Sequence, residues 1–131
     1  MEDNVFKSPL VTKSKAFAIR VVKMCKYLDE EKHEHIMRKQ VVRSGTSIGA
    51  NLAESQYAQS RDDFFTKITI ALKEANETKY WLELLRDTDY LEPAFAKSII
   101  SDCSELIAML VATSKSIKPR NAKSKTSASY L

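Results

Sequence analysis

Residues 60–89 read SRDDFFTKITIALKEANETKYWLELLRDTD, and this stretch decides the fold. Its apolar residues recur every three or four positions, which is the period of one face of an α-helix. They are Phe64, Ile68, Leu72, Ala75 and Leu82. Ser60 followed by Asp63 resembles a capping box, with Asp in place of the usual Glu. The pattern predicts one long helix over residues 61–86.

Three further stretches show the same period and predict helices over residues 9–29, 34–56 and 92–117. Pro9 and Pro93 each suit the first turn of a helix, where the missing N–H is not needed. Four helices of similar length, joined by connections of about four to six residues, favour antiparallel neighbours. We therefore expect an all-α fold, a single-domain antiparallel up-down-up-down four-helix bundle.

The composition agrees with a helical domain that lies in the cytoplasm. Only two glycines and three prolines occur among 131 residues, too few for the frequent turns of a sheet protein. No stretch is long and apolar enough to span a membrane, and the polar residues 1–7 do not resemble a signal peptide. Cys25 and Cys103 match no metal spacing and are expected to be reduced and buried.

Charge is distributed unevenly along the chain. The formal net charge is +4, and residues 118–131 alone contain four basic side chains and no acid, which predicts a disordered basic tail. Residues 1–8 form a short N-terminal arm. Within the bundle the first half is basic, whereas residues 62–117 contain 6 basic and 10 acidic side chains. One half of the bundle is thus basic and the other half acidic.

Helix 1 carries the candidate nucleic-acid-binding residues. Four cations gather on the face opposite its apolar stripe, as on a phosphate-binding surface. They are Lys15, Arg20, Lys23 and Lys26. An ordinary solvated helix face has the same appearance, and we expect no aromatic residue among these cations to serve in base stacking.

Helix 2 carries two strips beside its apolar stripe. Gly45, Gly49 and Ala53 are spaced by four and predict close approach of another helix, which would offset the cost of glycine within a helix. The other strip is polar, and acids of helix 3 are available to it. We interpret the two sets together as a polar network rather than an active site. Its members are Arg43, Ser47, Asn51, Glu54, Glu74 and Glu77.

Helix 3 has a second apolar side, formed by Ile70, Trp81 and Leu84. A lone bundle does not need it, so these residues are the candidate oligomer interface. The alternative is that the N-terminal segment or the tail covers them.

No residues suited to catalysis, metal binding or cofactor binding stand out. The motif Glu30-x-x-His33 occurs once, in a connection between helices, whereas a di-metal bundle needs two such motifs. Gly45 and Gly49 are not followed by the Lys-Ser/Thr of a phosphate loop. We expect neither enzyme activity nor a small-molecule substrate.

Three blocks of the sequence carry a family resemblance: residues 40–54 (QVVRSGTSIGANLAE), 60–64 (SRDDF) and 70–82 (IALKEANETKYWL). Their order and spacing resemble the bacterial four-helix-bundle proteins encoded in 23S rRNA intervening sequences, over about residues 8–117. One departure is Ser55, where the family commonly has glycine. The resemblance implies an up-down-up-down bundle and a ring-shaped homopentamer, similar to nucleic-acid-binding accessory proteins of diversity-generating retroelements, and no enzyme activity.

The leading hypothesis is therefore a homo-oligomeric scaffold that binds structured RNA or DNA through helix 1, with the tail as an added electrostatic contact. The alternative is an oligomeric scaffold whose partner is another protein, bound by the acidic helices 3 and 4.

Overall fold

The computed structural model describes residues 8–117, which form four α-helices and no strand. They are α1 (Pro9–Glu30), α2 (Ile36–Ser55), α3 (Arg61–Asp87) and α4 (Pro93–Ser116). The predicted all-α, single-domain fold class is confirmed, and each helix begins and ends within two residues of its expected bound. The predicted tail, and the predicted arm apart from Ser8, lie outside the described residues.

The first turn of α3 shows the local chemistry that starts a helix. The Ser60 hydroxyl accepts a hydrogen bond from the Asp63 N–H at 3.0 Å. The Asp63 carboxylate in turn accepts the Gln59 N–H at 3.2 Å. Two N–H groups without intrahelical partners are thereby satisfied, so the capping interpretation of Ser60 is confirmed.

The first residue of α2 differs from residue 34, which the sequence predicts as the start of this helix. The carboxylate of Glu34 accepts the N–H groups of residues 36, 37 and 38 at 3.1, 3.0 and 2.8 Å. Glu34 is nearly fully buried and caps the helix with its side chain, so the helix itself begins at Ile36. His33 precedes this cap with a positive φ of 54°, which turns the chain out of α1.

One apolar core runs through the bundle, and each helix contributes one face to it. Contacts run in opposite residue order between neighbours: in α1 and α4, Lys13 lies against Glu105 and Arg20 against Asp102. α2 and α3 behave alike, because position 43 lies near position 77 and position 54 near position 67. This order fits the expected up-down-up-down topology, with the α1–α4 seam less extensive than the other three.

The glycines of α2 face α1 at close range. A Cβ atom added at Gly45 would lie 2.9 and 3.0 Å from the two Cγ atoms of Val21. At Gly49 the nearest atom, the Ser14 hydroxyl oxygen, would be 3.4 Å away. The close approach predicted from the glycine spacing is confirmed at these two positions, whereas Ala53 is exposed and takes no part in it.

The two cysteines are free thiols buried at different seams of the bundle. Cys25 Sγ lies 3.8 Å from the Arg38 carbonyl oxygen of α2, and Cys103 Sγ lies 3.4 Å from the Ala75 carbonyl oxygen of α3. Burial raises the pKa of the Cys25 thiol to about 11 and that of the Cys103 thiol to about 12. Both thiols are therefore protonated and unreactive at neutral pH.

Alanine substitution at Gly45 and at Gly49 should change the stability of the protein in opposite directions. Gly45→Ala forces a methyl group against Val21, and overpacking of about 1–3 kcal/mol outweighs the roughly 1 kcal/mol gained in helix propensity. Gly49→Ala meets only ordinary contacts, so the propensity gain remains and stability rises by about 0.5–1 kcal/mol. Urea unfolding monitored by circular dichroism measures both. Equal effects of the same sign would contradict the close approach at Gly45.

Candidate nucleic-acid interface

The outer face of α1 carries three of the four predicted cations. Lys15, Lys23 and Lys26 are exposed, and within residues 8–117 none of them forms an ion pair. We refer to these three lysines as the basic face. At ~1.5 Å per residue they extend over about 16 Å of the helix.

Arg20 occupies a different position from the one expected from the helical wheel. Its guanidinium lies 2.6 Å from the Asp102 carboxylate of α4 and 5.3 Å from the centre of the Phe95 ring. Both contacts fasten α1 to α4 across their seam. We therefore assign Arg20 to the packing of the bundle rather than to the basic face.

Apolar side chains lie between the lysines of the basic face. Ile19 is 47% exposed and Val22 is 41% exposed, and both project from the outer side of α1. Phosphate binding does not require such residues, whereas a protein contact uses them. The surface of α1 is thus amphipathic as well as basic.

The polar network predicted between α2 and α3 centres on Arg43. Its guanidinium donates to Glu74 at 3.3 Å and to Glu77 at short range. The indole N–H of Trp81 donates to the same Glu77 carboxylate at 3.0 Å. Arg43 and Trp81 together hold the pKa of the Glu77 carboxyl below its ordinary value of 4.5, with the Arg43 hydrogen bond the larger cause.

The structure places the other three expected members of this network separately. The Ser47 hydroxyl donates to the Arg43 carbonyl oxygen, and the Asn51 amide donates to the Ser47 carbonyl oxygen, so both bond within α2. Glu54 pairs with Lys67 of α3 at 2.8 Å, about three helical turns from Arg43. The strip is therefore two interhelical ion-pair clusters with intrahelical bonds between them.

A buried polar pair between α2 and α3 was not predicted from the sequence. The Thr78 hydroxyl lies 2.9 Å from the Ser44 hydroxyl oxygen and 2.7 Å from the Glu74 carbonyl oxygen. Both side chains are fully buried. The sequence places a serine and a threonine at core positions of the helical period. These positions could have indicated the pair, because a buried hydroxyl group needs a hydrogen-bond partner. This bond fixes the register of α2 against α3.

The candidate oligomer interface lies along one flank of α3. Ile70, Trp81 and Leu84 are half-buried there, and Trp81 packs against the core while its N–H is satisfied by Glu77. Tyr80 meets the Trp81 ring edge to face at 5.1 Å and is 58% exposed. The flank therefore presents partial apolar surface beside a charged cluster.

Within residues 8–117, no group of three His, Cys, Asp or Glu side chains is arranged to hold a metal ion. No helix in that part of the chain is long and apolar enough to cross a membrane.

A family model described as 23S rRNA-intervening sequence protein matches residues 7–112. The chain belongs to this family. A solved structure, that of a protein with unknown function from the S23 ribosomal protein family from Bacteroides thetaiotaomicron, is 50% identical to the chain in sequence. The two structures align with a TM-score of 0.80 over 81% of this chain and 98% of that one. No curated protein matches the chain. The family resemblance of the three sequence blocks is thus confirmed.

Glu77 gives this member of the 23S rRNA-intervening sequence family a titration that its single tryptophan can report. Because the folded-state pKa lies below 4.5, the stabilisation by Arg43 and Trp81 is complete above pH 4.5 and is lost as the pH falls through the folded-state pKa. We expect the fluorescence of Trp81 to change with a midpoint below pH 4.5, while circular dichroism shows that the helices persist.

Glu77→Gln should remove this transition. Glu74→Gln is the matched control, because Glu74 also pairs with Arg43 but does not contact the indole, and it should retain the transition. A midpoint at or above pH 4.5, or an unchanged transition in Glu77→Gln, would contradict the assignment.

Proposed function

We propose that the chain is a non-enzymatic, cytoplasmic, homo-oligomeric scaffold that binds structured RNA or DNA through the basic face of α1. The observation that carries this proposal is the state of the charges on the bundle. Lys15, Lys23 and Lys26 are exposed and unneutralised within residues 8–117, and no acid interrupts α1 between them. Such lysines are free to replace the counterions of a phosphate backbone.

The dimensions of the basic face suit a nucleic acid backbone. Over about 16 Å, one strand of B-form DNA carries about five phosphates at ~3.4 Å per phosphate. Three lysines on one helix can thus contact one strand without deforming it. Contacts of this kind position a nucleic acid and do not read its bases, so the proposal is for binding by shape and charge.

A protein partner is the second candidate, and the exposed Ile19 and Val22 favour it. The alternative hypothesis assigns a protein partner to the acidic side chains of α3 and α4, but several of these side chains form ion pairs within the chain. Asp102 and Glu105 of α4 pair with α1, and Glu74 and Glu77 of α3 pair with Arg43. The apolar residues on α1 are therefore the better support for a protein contact.

Self-association, as a pentamer, is the third part of the proposal. It draws on the half-buried flank of α3, where Ile70, Trp81 and Leu84 lie beside the Arg43 cluster. A ring would repeat the basic face once per subunit, so that weak contacts on one nucleic acid add by avidity.

Binding should depend steeply on salt and on the three lysines. In fluorescence anisotropy with a labelled RNA hairpin and its DNA counterpart, replacing Lys15, Lys23 and Lys26 with Gln should abolish or severely weaken binding. Each lost phosphate contact should flatten the plot of log affinity against log salt by about 0.7 to 0.9.

The matched control replaces Lys39, Lys73 and Lys97 with Gln. These lysines are exposed on the other three helices, so the variant loses the same charge from different faces. It should bind nearly as the wild type does. Removal of residues 118–131 should weaken binding only in part. Complete loss on that truncation would transfer the site to the tail, and absence of wild-type binding at low salt would favour the protein partner.

Multi-angle light scattering tests the assembly. We expect a mass five times the 14.9 kDa of one chain. Trp81→Ala should weaken the assembly by about 2 kcal/mol or more per contact if the indole is a desolvated anchor. Tyr80→Ala, which removes the neighbouring and more exposed ring, should have a smaller effect. A monomeric mass at micromolar concentration would contradict the proposal.

A further inference from the structure

An apolar groove lies in the seam between α1 and the start of α4. Its volume is about 410 Å³, and its walls are formed by Met24, Tyr27, Leu91 and Phe95. Small-molecule sites in proteins are commonly roughly 300–1,000 Å³, so the groove can take one or two planar rings but not a duplex.

A second hollow of about 270 Å³ continues the groove around the end of the bundle. The two hollows share Tyr27, Leu91 and Glu92, and the second one adds Tyr90 and Lys32. Aromatic residues from α1, from the α3–α4 connection and from α4 thus line the two adjoining hollows. Tyr27 lies on α1 itself and is exposed, so the expectation that this helix offers no aromatic residue for base stacking is wrong.

The aromatic groups in the groove are positioned before any ligand arrives. Phe95 is covered on one face by the Arg20 guanidinium, which Asp102 holds at 2.6 Å. Tyr27, which lines the same groove from α1, is 43% exposed. Both a tyrosine ring and a fixed guanidinium plane are surfaces on which a nucleobase stacks.

The charges around the groove, and its continuity with the basic face, indicate which ligand it binds. Lys23 belongs to the basic face and also lines the groove, so a backbone that follows the lysines of α1 reaches the groove opening. Glu92 lies on the rim contributed by the α3–α4 connection and repels phosphate from that side. A nucleotide that enters here would place its phosphate at Lys23 and direct its base inward.

We infer that this groove binds an unpaired base of the nucleic acid held by the basic face. Paired bases within a helix keep their faces stacked on one another, and only a loop, bulge or single strand offers a free face. The inference rests on the proposed function and narrows the ligand to nucleic acid with unpaired nucleotides.

The test uses the full chain and short RNA and DNA strands that carry one 2-aminopurine, whose fluorescence is quenched on stacking, together with blunt-ended duplexes of the same sequences, which have no unpaired base. Tyr27→Ala should weaken binding of the single strands about fivefold to tenfold and remove the quenching, while duplex affinity changes by less than about twofold. Tyr27→Phe, which keeps the ring, should behave as the wild type does.

Two further variants complete the experiment. Phe95→Leu keeps most of the apolar volume but removes the ring against which the Arg20 guanidinium lies, and it should reduce the quenching. Tyr57→Ala removes an exposed tyrosine in the α2–α3 connection, at the other end of the bundle, and should change nothing.

Unchanged single-strand binding in Tyr27→Ala, or an equal loss for single strands and duplexes, would overturn the inference. If Tyr27→Ala gives one of these results while replacement of Lys15, Lys23 and Lys26 with Gln still abolishes binding, the proposed function stands without the groove. If the wild type binds no probe at low salt, the proposed function fails and the inference fails with it.

Discussion

The close approach of α1 to α2 at Gly45 is the contact on which the rest of the bundle depends. A side chain there would meet Val21, so only glycine lets the two helices pack at this distance. That spacing sets the position of α1, and with it the direction of its lysines and the place of Tyr27 at the end of the bundle. The helix-propensity cost of roughly 1 kcal/mol for a glycine in a helix is offset by this packing.

Ion pairs across the α1–α4 seam then sort the cations of α1 into two groups. Lys13 and Arg20 face acids of α4 and are neutralised, whereas the lysines about 60° or more away around the helix face outward. The seam is the least extensive of the four, and it is also where the groove opens. The same geometry that leaves α1 and α4 loosely packed therefore leaves room for a ligand beside the basic face.

The helices, the cap of α3 and the core faces could be predicted from the sequence because their determinants lie within a few residues of one another. Ser60 and Asp63 are three residues apart, and the glycine strip repeats every four. Contacts between distant residues could not be predicted. Arg20 and Asp102 are separated by 82 residues, and no local pattern indicates that they meet. The groove lined by Tyr27 and Phe95 could not be predicted for the same reason, because the two residues lie on different helices and neither helix alone shows an aromatic cluster.

The buried thiols make the opening of individual seams observable. Cys25 contacts the backbone of α2, and Cys103 contacts the backbone of α3, so each is shielded by a different pair of helices. A thiol with a raised pKa reacts with an alkylating reagent only when local motion exposes it to water. Their separate alkylation rates therefore measure the free energies of opening of the α1–α2 and α3–α4 seams in the native protein, without any engineered label.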